Sequence, residues 1–159
     1  MPHLRAVCPI LLALILLPLS AVPLVADDAG AGVRYVGGTV SIIPADADGH
    51  LRTTDDLFLE FRCPRREVSV GYQHINLLEY GQNVNRRLLL AATLSPLFLL
   101  SKSRQHFLTV GYTDREGKQQ AMVFRVEKSK IRSVLVALEA RTGLKVTYQD
   151  DQARRAGKG

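Results

Sequence analysis

Phe107–Val126 reads FLTVGYTDREGKQQAMVFRV. Leu108, Val110 and Tyr112 alternate with Phe107, Thr109 and Gly111, and Met122, Phe124 and Val126 repeat the period of two after a polar break. Successive side chains of a strand point to opposite faces, so the pattern predicts two half-buried strands. Between them lies Asp114-Arg115-Glu116-Gly117, in which Gly117 can take the positive φ of a bulged hairpin. This stretch predicts an antiparallel hairpin and sets the fold class as mainly β.

The same reading extends upstream. Tyr35 to Ile43 is rich in β-branched residues but interrupted by Gly37-Gly38, which predicts a strand with a bulge or a close backbone approach. Pro44 ends it, and PADADGHLRTTDD (residues 44–56) reads as an acidic, turn-rich loop. Asp46, Asp48 and Gly49 are similar to a calcium loop, but His50 stands where a third oxygen ligand is needed and glycine comes two positions early. Leu57, Leu59 and Phe61 alternate with Phe58, Glu60 and Arg62, and Val68, Val70 and Tyr72 answer them after Pro64. A bend at Gln73-His74 then leads into a short strand, Ile75 to Gly81. Downstream, Ile131, Val134, Leu135 and Leu138 fall on one face of a helix that Ser129 can cap and Gly143 stops, with Arg141 in its last turn. Lys145 to Gln149 reads as a short final strand.

Arg86–Arg104, RRLLLAATLSPLFLLSKSR, breaks the β pattern. Its apolar run, Leu88 to Leu100, would make a helix of ~20 Å, short of a ~30 Å hydrocarbon core. Three readings remain. The run can pack on the sheet as a short buried helix that Pro96 turns. It can lie in a lipid boundary with Leu90, Leu94 and Phe98 inward and Arg86, Arg87, Lys102 and Arg104 on phosphates. Or it can form a homodimer patch.

Arg5 is the only charged residue among the first 26, which run through an apolar centre from Pro9 to Val25 to a small-residue exit at Ala26. That is the pattern of a secretory signal, and its removal lowers the net charge from +6 to about +5. Kept instead, Pro18 and Pro23 would break an uncleaved anchor. Residues 27–34 read as a flexible lead-in, 35–149 as one β-rich domain with the insert at 84–104, and 150–159 as a disordered basic tail. The moderate positive charge favours anionic surfaces, and export argues against nucleic acid. Cys63 is left as a lone thiol after Cys8 is removed with the leader, so no internal disulfide forms. Arg62, Arg65 and Arg66 beside Cys63 would lower its pKa, which makes it the nucleophile of a small-enzyme reading; its place in a hairpin turn speaks for an incidental cysteine. His50, His74 and His106 lack the i, i+4 spacing of a helical metal site, and no Gly-rich phosphate loop or serine elbow is present, so no metal, cofactor or catalytic residue is expected. Lys128, Lys130 and Arg132 cluster at the start of the last helix, where they oppose its dipole and form a candidate anion site.

Six or seven short strands followed by one amphipathic helix predict a curled antiparallel sheet or barrel closed by the helix, the order of a pleckstrin-homology-like or GRAM-like domain. The runner-up is an open antiparallel sheet with the helix on one face. The segments YVGGTV, INLLEYGQ, SKSRQHFLTVGYTD, VFRVEK and LEARTG, spread over Tyr35 to Tyr148, resemble a family of short exported bacterial proteins of uncharacterised activity. Resemblance to lipid-binding pleckstrin-homology domains would imply a basic loop between the first two strands for phosphoinositide headgroups. The corresponding loop departs from that, with Asp46, Asp48, Asp55 and Asp56 against Arg52. The expected function is a periplasmic or extracellular non-enzymatic module that meets a membrane surface or envelope partner through the insert. A protein-interaction scaffold with the insert buried or at a homodimer interface is the alternative, and the Cys63 enzyme comes third.

Overall fold

A computed structural model of the chain describes residues 30–82, the backbone of 93–94, and residues 105–158. The decisive hairpin is β7 (His106–Thr113) with β8 (Gln119–Val126), paired from His106↔Val126 to Thr113↔Gln119. Gly117 takes φ 79° in its turn, and the Asp114 carboxylate accepts from the Glu116 and Lys118 amides. Upstream come β1 (Ala31–Gly38), β2 (Ala47–Arg52), β3 (Phe58–Cys63), β4 (Arg66–Gly71) and β5 (Ile75–Gly81), with β6 (Thr93–Leu94) in the insert. β9 (Thr147–Tyr148) follows the main helix, α1 (Ile131–Thr142), and α2 (Asp151–Lys158) ends the described chain.

The strands form one sheet in the order β4-β3-β2-β1-β8-β7-β5-β9, with β6 added to β1 beside β2. The sheet is mixed and open. Its neighbours are antiparallel except β5 and β9, and β4 and β9 stand at opposite ends, so the expected barrel is not closed. Closure fails because the last strand extends the β5 side of the sheet instead of sealing the β4 side. The sheet is open, as in the runner-up architecture, but the parallel β5–β9 pair makes it mixed where that architecture is wholly antiparallel.

The expected bulge falls at Tyr35/Gly37, where the β1–β8 register shifts. Gly38 has φ 155°, and a Cβ there would collide with the Ala121 carbonyl, so both the backbone and the close approach exclude a side chain. Tyr35, Phe61 and Phe124 then meet across β1, β3 and β8 with ring centroids 5.1–6.1 Å apart, inside the range in which aromatic pairs attract beyond their buried area. The helix residues Ile131, Val134, Leu135 and Leu138 are all buried in the same core cluster. At its far end the Arg141 guanidinium donates to the Asp56 carboxylate and to the Thr54 carbonyl, which ties α1 to the β2–β3 loop.

Four sequence expectations are corrected. Residues 47–52 of the acidic loop form β2; Asp, Gly and His disfavour strands, but Leu51 is buried and Arg34 holds Asp48 from β1. The lead-in ends early, because β1 begins at Ala31. Ser129 does not cap α1: Lys130 occupies that position without a side-chain bond, and the Lys130 and Ile131 amides are taken up by the Glu127 carbonyl. The tail carries α2, started by Asp150, whose carboxylate accepts from the Ala153 amide at 2.6 Å.

Candidate anion-binding groove

Alternation on four strands, β1, β2, β3 and β8, builds the site. Val33, Leu51, Phe61 and Val126 point to the core, so Gly32, Arg34, Asp48, His50, Arg62, Arg125 and Glu127 share the other face. Register brings them side by side. Arg34 pairs with Asp48 on β2 and with Arg125 on β8, while Gly32 pairs with His50, which pairs with Arg62 on β3. They line an open groove of about 1010 Å³ together with Cys63, Pro64, Gln105, His106 and Lys128.

The charge of the groove is basic: Arg34, Arg62, Arg125 and Lys128 stand against Asp48 and Glu127. Two of the arginines are held by neighbouring strands. Arg34 donates to both Asp48 oxygens at 2.6 and 2.8 Å, which raises its pKa and lowers that of Asp48, in each case chiefly through the hydrogen bonding. Arg62 donates to Glu67 at 2.9 Å, and that bond is the main reason the Glu67 carboxyl lies below its usual range. Such exposed pairs add little to stability; their larger effect is to fix where the guanidinium groups sit.

In the groove wall His106 is buried and shares a 2.5 Å hydrogen bond between its Nδ1 and the Tyr80 hydroxyl. The rings stack with centroids 5.9 Å apart. Burial first, and then the positive charge of Lys128, lowers the pKa of His106 and favours the neutral ring. Burial likewise raises that of Tyr80.

The three basic residues at the start of α1 divide. Lys128 lines the groove, whereas Lys130 lies at the N-cap and Arg132 on the exposed first turn, and neither is among the described lining residues. Cys63 ends β3 and is buried beside the turn. His50 is in the groove, and His74 lies in a single 3-10 turn, Tyr72–His74. Of the insert residues, Arg86, Arg87, Leu90, Phe98, Lys102 and Arg104 lie outside the described residues; Leu94 belongs to β6, whose backbone pairs with Gly37 and Gly38. The sequence reading missed Arg34, Arg62 and Arg125 as a set. Each lies on the polar phase of its strand, but their adjacency follows only from the strand order and from β2. No protein-family model matches the chain, and no curated protein matches it either.

Proposed function

We propose that the protein is an exported, non-enzymatic binding module that attaches peripherally to an anionic membrane surface. Its main support is the convergence of Arg34, Arg62, Arg125 and Lys128 on one open groove whose wall includes Gln105. Gln105 directly follows Lys102-Ser103-Arg104, so the basic flank of the apolar run is continuous in the chain with the basic groove. Each lysine or arginine near an anionic leaflet contributes ~1 kcal/mol, and apolar side chains in the lipid boundary add to that. The leader-like first 26 residues support export.

A second reading, a protein-interaction module with the insert packed on its own sheet, draws support from β6, which fastens the middle of the insert to β1. Flotation of the purified protein with phosphatidylglycerol and phosphatidylcholine vesicles separates the two. The membrane reading expects binding to the anionic vesicles that weakens with salt and is lost in Leu90→Asp/Leu94→Asp while circular dichroism shows a folded protein. No flotation by the wild type, with a double variant that unfolds, would place the leucines in the core and turn the search to protein partners.

A further inference from the structure

We infer that the open strip above Gly32 seats the phosphate of an anionic lipid headgroup, an assignment that rests on the membrane-surface reading. Gly32 is the second residue of β1, and its backbone does not have the positive φ that calls for glycine. A Cβ built there meets nothing within 4 Å, in contrast to Gly38 and Gly49, where a side chain would run into a neighbouring strand. Glycine in a strand weakens it and packs no side chain. At Gly32 neither packing nor backbone geometry accounts for it. What its missing side chain leaves is space on the floor of the groove.

Donors flank that space, together with the carboxylates of Asp48 and Glu127. His50 stands opposite Gly32 on β2 with Arg62 beyond it, Arg34 lies two positions along β1 facing Arg125, and Lys128 closes the β8 side. Guanidinium groups match phosphate oxygens with forked donors, and a lysine adds a compact charge. Arg34 and Arg62 are already oriented by Asp48 and Glu67, so little side-chain freedom is lost when an anion arrives. The four cations outnumber Asp48, Glu127 and the Glu67 that pairs with Arg62 by one, which gives the groove the sign that a phosphate needs.

The test compares the wild type with Gly32→Phe, which fills the floor with a residue that favours strands. Binding to phosphatidylglycerol vesicles is read by flotation, with soluble glycerol phosphate as competitor and circular dichroism as the folding control. The expected result is a loss of at least about tenfold in vesicle affinity for folded Gly32→Phe, with glycerol phosphate displacing the wild type. Wild-type flotation that Gly32→Phe leaves unchanged overturns the seat while the membrane reading stands. Absence of both wild-type flotation and glycerol phosphate binding overturns both. Wild type that binds glycerol phosphate but no vesicle overturns the lipid source. If Gly32→Phe does not fold, Lys128→Glu and Arg132→Glu decide: the groove requires the first to weaken binding more, and equal effects overturn it.

Discussion

His106 carries the clearest electrostatic consequence at the scale of single residues. Its folded pKa is lowered by burial and by Lys128, while in the unfolded chain it returns to the ordinary value near 6.5. A base with a depressed folded pKa takes up its proton more readily when unfolded. The stability it contributes is therefore present above about pH 6.5 and is lost as pH falls towards the folded value. The urea midpoint is expected to drop from about pH 7 to about pH 5, and the drop should flatten in His106→Gln. An equal drop in that variant would assign the effect elsewhere. The lowered carboxyl groups, Asp48, Asp55, Glu67 and Asp114, titrate below this window and do not confuse it.

Among the elements, α1 gives the sharpest contrast between a buried and an open face. Leu138 is fully buried and Val136 is 65% exposed two positions away. Leu138→Ala should cost about 3 kcal/mol in urea unfolding, whereas Val136→Ala and Ser129→Ala should stay within about 0.5 kcal/mol. A large loss at Ser129 would restore it as the cap. The elements legible in the sequence share one property, a period written in large apolar side chains: β7, β8, the β3–β4 hairpin, β5 and the stripe of α1. β2 was hidden because Leu51 is its only large apolar residue and Asp48, Gly49 and His50 resemble a turn. α2 was hidden because the residues it turns inward are small: Ala153 is fully buried, Ala156 packs on the core, and Gly157 lies against the rings of Tyr148 and Tyr80. The groove was hidden for a further reason. Polar alternation marks the outer face of each strand, but pairing partners distant in sequence decide which outer faces meet.

For the whole molecule, α2 tests whether the end of the chain belongs to the fold. Cutting after Gln149 would uncover Tyr80 and Tyr148, and the urea midpoint should fall by an amount equivalent to about 2 kcal/mol. An unchanged midpoint would leave α2 without a part in stability. The central position of β1 has a different consequence. On one side it is completed by β2, its near neighbour in the chain, but on the other by β8, so that Val33 meets Val126. Contacts of such long sequence separation, about ninety positions, form late and slowly. A chain emerging amino end first would display β1 with an unfilled edge until Gln119–Val126 had also emerged. Any factor that shields the nascent protein must therefore stay bound through most of its synthesis, and release before β8 would expose a strand edge open to pairing with another copy.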